Sequence, residues 1–379
     1  MEREIYGGAM SGTSLDGVDV VLAAFDASAS GMPANALPTV LAHQYRPYAT
    51  DLREAVLAVC HGQPLTLPEL GRLDLAVARV YVQAIRAAMA QLKPSDAGSI
   101  RAVGVHGQTI FHQPLGDDRF TIQIGDPNHI AVHVGLPVVA DFRRRDMALG
   151  GQGAPLAPGF HEQCFRHAAI TRVVCNCGGI ANITVLQPGL ATYGYDTGPA
   201  NLLMDAWCVQ ETGQPFDKDG AWARGGQVIA ALLDALLDEP YLRLPYPKST
   251  GRELFHLPWL PARLASAGIA TPAGQDVMRT LLEFTAASVT DQVAKVNTSG
   301  GEMYVCGGGA MNGLLMERLA QRLPGWTVRS TAALGMAPDQ VEALAFASFA
   351  RRTVLGLPAN VPSVTGASRP CILGGIYAA

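Results

Sequence analysis

Twice in this chain a short apolar run enters a glycine turn and leaves it as a second apolar run. The first instance lies between Ile5 and Leu22. The second, Arg172 to Leu186, comes about 170 residues later. Each reads as a β-hairpin with a glycine tip. Hairpins are common, so coincidence is the plain alternative. Read as a weak internal duplication, the pair predicts two related α/β domains facing each other across a cleft.

The first tip is the richer one: Ser11-Gly12-Thr13-Ser14-Leu15-Asp16-Gly17-Val18. Gly12 and Gly17 allow a turn with positive φ and close approach to a ligand. Ser11, Thr13 and Ser14 add hydroxyl donors, and successive backbone N–H groups in such a turn make a concavity for anions. Asp16 conflicts with a bare phosphate site. A Mg²⁺ ion between carboxylate and phosphate removes the conflict. The competing reading is an ordinary hairpin turn.

A chain of 379 residues has room for two domains, and 49% hydrophobic with 16% charged residues supplies a large core. The net charge of −4 gives no general attraction to nucleic acid or an anionic membrane, and Arg143-Arg144-Arg145 is the only dense basic run. The start, Met1-Glu2-Arg3-Glu4, does not read as a signal peptide, and no apolar run is long enough to span a bilayer. Seven cysteines without a Cys-x-x-Cys pair point to free thiols and a reducing, cytoplasmic setting.

Strands and helices alternate along the chain. A Pro/Ala/Ser-rich surface loop is expected near residues 27–38, and helices over 52–60 and 67–92. Strands are expected over 100–105, 120–124 and 136–140. Met303–Cys306 reads as a strand running into Gly307-Gly308-Gly309, with a helix from Gly313 to Leu323. That arrangement sets bare backbone and a helix N-terminus beside a ligand. The chain has no Walker loop and no full dinucleotide fingerprint. A last helix is expected to open at Ala337-Pro338-Asp339 and run to about Val354. We place a domain boundary after 140. Residues 1–140 carry the phosphate hairpin. Residues 141–379 carry the remaining motifs, with the last helix and tail able to pack back on the first domain.

Four segments carry candidate chemistry. Asp196, in Asp196-Thr197-Gly198-Pro199-Ala200-Asn201, is a candidate general base just ahead of a helix expected to start at Pro199. Its bland alternative is a helix cap. His106 and Gln108, at a strand end, suit hydrogen bonding to a polar ligand such as a sugar. The spacing of His106 and His112 does not suit zinc. Arg143 to Arg145 follow a strand-end Asp141, where arginines can clamp a phosphate or carboxylate, or form a solvated turn. The stretch from Pro247 through Lys248 to Glu253 reads as a loop able to close over a charged substrate, or as an exposed connector.

Seven motifs then occur in one order, nearly end to end: Met-Ser-Gly-Thr-Ser-Leu-Asp-Gly-Val-Asp at 10–19, His-Gly-Gln-Thr-Ile at 106–110, Ala-Asp-Phe-Arg-Arg-Arg-Asp at 140–146, Gly-Gly-Gln-Gly-Ala-Pro-Leu at 150–156, Asp-Thr-Gly-Pro-Ala-Asn at 196–201, Pro-Lys-Ser-Thr-Gly-Arg-Glu at 247–253 and Cys-Gly-Gly-Gly-Ala at 306–310. With them the chain resembles the anhydro-N-acetylmuramic acid kinase family. It departs at Cys177, where that family usually has isoleucine, a small apolar exchange.

The resemblance implies a two-domain actin/hexokinase/Hsp70-like fold, a duplicated ribonuclease H-like α/β architecture with an interdomain cleft. It implies the use of ATP and Mg²⁺ on a small amino-sugar substrate in peptidoglycan recycling, and a cytoplasmic homodimer without nucleic-acid or membrane partners. ATP phosphates fall to Ser11, Gly12, Thr13, Ser14, Leu15, Asp16, Gly17 and Val18, adenosine to Gly307, Gly308 and Gly309, and the base to Asp196. His106, Gln108 and Arg143 are the substrate candidates. Asp16, Asp196 and Glu342 are the candidate Mg²⁺ ligands, with no choice among them. Two other readings stay open: a plain sugar or acid kinase of the same fold, and a nucleotide-gated binding protein. A glycosidase working without ATP would need a second carboxylate that the sequence does not place.

Overall fold

The computed structural model describes every residue except 1, 2, 13, 27–36, 253 and 298. Thr13, Glu253 and most of the expected loop at 27–38 therefore lie outside the described residues. In chain order the strands are β1 (Arg3–Met10), β2 (Gly17–Asp26), β3 (Thr39–Pro47), β4 (Ile100–Val105), β5 (Gln108–Gln113), β6 (Phe120–Ile124), β7 (Val138–Ala140), β8 (Arg172–Cys177), β9 (Ile180–Leu186), β10 (Tyr193–Pro199), β11 (Gly301–Cys306), β12 (Trp326–Ser330) and β13 (Gly375–Tyr377).

The chain forms two compact units, Met1–Cys164 with Gln340–Ala379, and Phe165–Asp339. The sheet of the first unit has the order β13-β7-β4-β1-β2-β3, and that of the second β10-β9-β8-β11-β12. Within each, the first three strands form an antiparallel meander: β1 with β2 and β2 with β3 in one, β8 with β9 and β9 with β10 in the other. The next strands join parallel to the first, β4 on β1 with β7 beyond it, and β11 on β8 with β12 beyond it. The same order and the same senses occur twice. This is the duplicated ribonuclease H-like fold, and the two hairpins are the first two strands of each copy.

The first unit ends at Cys164, beyond the expected boundary at 140, and takes back the C-terminal segment. Fully buried Asp146 ties both additions to the first unit, the stretch beyond 140 and the tail expected to pack back on it. Its Oδ1 accepts hydrogen bonds from Asn360 Nδ2 at 2.7 Å and Thr365 Oγ1 at 2.8 Å, and its Oδ2 from the Gly153 N–H at 2.9 Å. A buried carboxylate with three donors costs far more to expose singly than to keep satisfied, so these segments hold together. The helix Val341–Val354 then lies against β1 and β4 because Gly8 and Gly104 face each other there. A Cβ on Gly8 would stand 1.9 Å from the Ala343 carbonyl oxygen, and one on Gly104 2.2 Å from that of Phe346. Only glycine lets the helix backbone approach this closely.

That helix begins at Val341, not at 337 as expected. The Pro338 carbonyl instead accepts the Gly307 N–H at 2.9 Å, so the segment before the helix serves the second unit. Each unit has its own apolar core. In the first, Val18, Val20, Val77, Tyr81 and Ile85 pack between sheet and helix Leu67–Met89. In the second, Val173, Ile183, Leu281, Phe284 and Val289 do so around helix Gly274–Val296.

Candidate functional site

In the first unit the expected phosphate hairpin is tied to the start of β5. Ser11, almost fully buried, donates from Oγ to Gln108 Oε1 at 2.6 Å, and Gln108 Nε2 donates to the Gly12 carbonyl at 3.4 Å. Gln108 is therefore spent on the hairpin. It braces the turn, a different role from the free ligand donor expected of it. Backbone contacts fix the far side: Tyr48 N–H donates to the Asp16 carbonyl at 3.0 Å and Arg53 Nε to the Leu15 carbonyl at 3.1 Å. The Asp16 carboxylate is 60% exposed and stands 3.9 Å from Arg53, which is loose pairing for a surface charge. Gly17 is required by packing, since a Cβ there would lie 2.3 Å from the Arg46 carbonyl. Leu15 and Val18 are buried core positions, so they shape the turn from beneath. Ser14 is half-buried.

His106 and Arg143 form a pair beside this hairpin. Arg143 Nη2 lies 2.8 Å and Nε 3.1 Å from His106 Nε2. Arginine can only donate, so Nε2 is the acceptor and the proton resides on Nδ1. Burial, helped by the Arg143 charge, pushes the His106 pKa down to about 3, so the ring stays neutral. Its Nδ1 is buried with no hydrogen-bond acceptor in geometry, although the Gly107 and Ser11 backbone lies close enough to favour the protonated form. Arg143 also donates from Nη1 to the Gly153 carbonyl at 2.8 Å. Burial lowers its pKa to about 10, opposed by the charges of Glu342 and Asp146. Of the three arginines only Arg143 joins this group. Arg144 pairs with Asp141 at 2.8 Å, and Arg145 donates to the Ile372 carbonyl at 3.1 Å.

In the second unit Asp196 stands within β10, and the helix after it starts at Asn201 with Ala200 as its N-cap. Pro199 is thus a strand residue, and Asp196 does not cap the helix. The register shifts between Asp196 and Gly198, a bulge that re-aims side chains. Asp196 is opposite Asn182, Asn182 is opposite Asn176, and Asn176 is opposite Cys306. Paired positions point to the same sheet face, so Asp196, Asn182 and Asn176 form a half-buried polar row across three strands. Sequence reasoning missed both asparagines. The available signal was a polar residue repeated on either side of the second glycine tip.

The glycine triple closes that row. A Cβ on Gly307, which has φ +77°, would stand 2.4 Å from Asn176 Oδ1. A Cβ on Gly309 would stand 2.5 Å from Cys177 Cβ. Asn201 Nδ2 donates to the Cys177 carbonyl at 3.0 Å and lies 3.4 Å from where a Gly308 Cβ would be. The last two glycines open one turn of 3-10 helix, Gly308–Met311, ahead of helix Gly313–Arg322, whose N-cap is Asn312. The expected adenosine residues, Asn176 and Asn201 are thus together, with Asp196 two strands away on the same sheet. Among the described residues, no group of three or more His, Cys, Asp or Glu side chains could cage a metal ion. A Mg²⁺ ion carried in by a nucleotide takes most of its ligands from phosphate and water. For that role the single carboxylates Asp16, Asp196 and Glu342 fit.

A family model described as anhydro-N-acetylmuramic acid kinase matches residues 4–379. The anhydro-N-acetylmuramic acid kinase of Vibrio cholerae serotype O1 is 51% identical over 377 residues, covering 99% of both chains. Among solved structures, the activator of 2-hydroxyisocaproyl-CoA dehydratase from Clostridium difficile with bound ADPNP aligns over 92% of this chain and 94% of its own at 10% identity, with a TM-score of 0.44. A ROK family glucokinase from Streptomyces griseus, in complex with glucose and AMPPNP, aligns over 93% and 100% at 15% identity, with a TM-score of 0.37.

Proposed function

The chain belongs to the anhydro-N-acetylmuramic acid kinase family, and from that premise we propose that it uses ATP and water to convert 1,6-anhydro-N-acetylmuramic acid into N-acetylmuramic acid 6-phosphate and ADP. The anhydro sugar has no free 6-hydroxyl, because O6 is bonded to C1. Asp196 takes a proton from water, and the water oxygen attacks C1. The C1–O6 bond breaks with its electron pair on O6. O6 then forms a bond to the γ-phosphorus, and the bridging bond to ADP breaks with its electrons on ADP.

What supports Asp196 as the base is its seat. It is a half-buried carboxylate at a strand bulge, at one end of a polar row whose other end meets a glycine cradle only backbone can line. Ser11, Gly12 and the turn after them would offer donors to the ATP phosphates, braced by Gln108. Thr13 belongs to this proposal from sequence only. The neutral Nδ1–H of His106 and the guanidinium of Arg143 are donors suited to the sugar's oxygens and its lactyl carboxylate. Mg²⁺, when bound, offsets charge on the transferring phosphoryl group. Asp16, Asp196 or Glu342 would supply its protein oxygens.

Among the described residues no helix is long and apolar enough to cross a membrane. All seven cysteines are free, which suits the reducing cytoplasm we propose. A homodimer is part of the same reading, and sedimentation tests it. The activity is tested by supplying the anhydro sugar, ATP and Mg²⁺ and weighing the products. The expected result is ring-opened 6-phosphate in equal amount to ADP. Phosphorylation of free sugars alone would make the protein a plain sugar kinase.

A further inference from the structure

The stretch from Pro247 through Lys248 to Glu253 reads from sequence as a closing loop or a connector. In the structure it is an anchored strap. At one end Tyr246 lies flat across Tyr193 and Tyr195 of β10, with ring centroids 4.8 and 5.6 Å away and planes within 15° and 6° of parallel. At the other, the Gly251 carbonyl accepts the Phe255 N–H at 3.1 Å, and the Phe255 ring is fully buried against Tyr241 and Trp259. Between these anchors the strap grips Asp196. The Asp196 N–H donates to the Lys248 carbonyl at 3.3 Å, and the Thr250 N–H donates to Asp196 Oδ2 at 3.1 Å.

A second segment grips the same residue. The turn Pro240–Arg243 places the Tyr241 hydroxyl 2.8 Å from the Asp196 carbonyl, to which it donates. Lys248 joins the two. Its Nζ donates to the carbonyls of Tyr241 at 3.2 Å and Leu242 at 3.1 Å, and sits 4.8 Å from the centre of the Tyr241 ring and 5.7 Å from that of Tyr195. An ammonium held by two carbonyls and two ring faces is a rivet, with little capacity left for a ligand.

We infer that Lys248 is a positioning residue: it rivets the strap to the Pro240–Arg243 turn, and through the Thr250 N–H the strap fixes the Asp196 carboxylate at Oδ2. The inference rests on the reading of Asp196 as the base. Geometry that fixes one carboxylate oxygen matters because a misplacement of about 1 Å can cost about a hundredfold in rate. The charges facing Lys248 are Lys295 from helix Gly274–Val296 and Asp196 from β10. Burial, then Lys295, lower the Lys248 pKa to about 8, with Asp196 opposing.

The test compares Lys248→Met, Thr250→Pro, Thr250→Ala and Asp196→Asn by steady-state kinetics on the anhydro sugar and ATP. Thr250→Pro removes the N–H, while Thr250→Ala keeps it. The expected result is a loss of about tenfold or more in kcat for Lys248→Met and Thr250→Pro, with the KM for ATP within about twofold of wild type and Thr250→Ala close to wild type. If Thr250→Pro does not fold, the split between kcat and KM in Lys248→Met decides. An inactive Asp196→Asn beside a fully active Lys248→Met overturns this inference alone. An active Asp196→Asn overturns the base assignment, and this inference with it.

Discussion

Both units carry the same five-strand order, yet they use its first hairpin differently. In the first unit the turn between β1 and β2 is long and held by side chains: Gln108 on Ser11 and Gly12, and Arg53 on Leu15. In the second, the turn between β8 and β9 is only Gly178-Gly179 and is held by backbone. The Gly179 carbonyl accepts the N–H groups of Ala200 and Leu202 at 2.9 and 3.1 Å, and the Gly178 carbonyl that of Asn201 at 3.0 Å. The long turn, with Ser11 Oγ given to Gln108, is the one proposed to hold the ATP phosphates. The short one surrenders its carbonyls to the segment after β10 and so locates Asp196 and Asn201. One fold thus yields a turn proposed to bind and a turn that braces.

The contrast is broken or sharpened by four changes. The largest effect is expected for Asp196→Asn in the bracing unit. For the base proposed at Asp196, its loss should lower kcat by about 10³-fold, with thermal unfolding nearly unchanged. An equal loss from Gln108→Ala would mean that the two turns do not divide the labour in this way. Next is Gly104→Val in the first unit, which drives a side chain into the Phe346 backbone. Denaturant unfolding should show a loss of about 3 kcal/mol, because backbone cannot step aside as a side chain can.

Acid separates the units more gradually. Burial lowers the pKa of His106 and His161 to about 3 and of His112 to about 4, and all three belong to the first unit. The unfolded chain binds protons on these rings near pH 6.5 while the folded chain does not. Stability is therefore fully present above 6.5 and falls as pH drops toward 3, by up to about 1.4 kcal/mol per pH unit for each ring. Hydrogen exchange on lowering the pH should show amides of β1 and β4 losing protection before those of β8 and β11. The smallest effect is expected for Arg144→Ala. Its ion pair with Asp141 is exposed, and its loss should change stability by no more than about 0.5 kcal/mol.

Much of the fold was legible because local pattern decides it. The strands at 100–105 and 120–124 begin and end where alternation and turn residues place them. The two hairpins predicted the repeat. What was not legible depends on register and long-range partners. Asn176 and Asn182 join Asp196 only through the pairing of three strands, which no single run of residues reveals. Asp196 looked like a residue before a helix because Pro199 favours a helix start. The antiparallel pairing of Pro199 with Ile180 overrides that preference. Pro338 misled in the same way, since its carbonyl is used by Gly307. The strap reads from sequence as a closing loop or an exposed connector because its cations and hydroxyls suggest a charged ligand or solvent. The Lys248 ammonium finds carbonyl and ring partners that lie outside its own motif.

The proposed division of labour comes to one chemical statement: water, activated in the second unit, attacks the sugar, and the oxygen it frees takes the phosphoryl group. Turnover of the anhydro sugar and ATP in ¹⁸O-labelled water, with the product reduced at once and its fragments weighed, tests this directly. The account predicts one ¹⁸O at C1 of the 6-phosphate and none in the phosphoryl group. Label in the phosphoryl group, with C1 unlabelled, would contradict it.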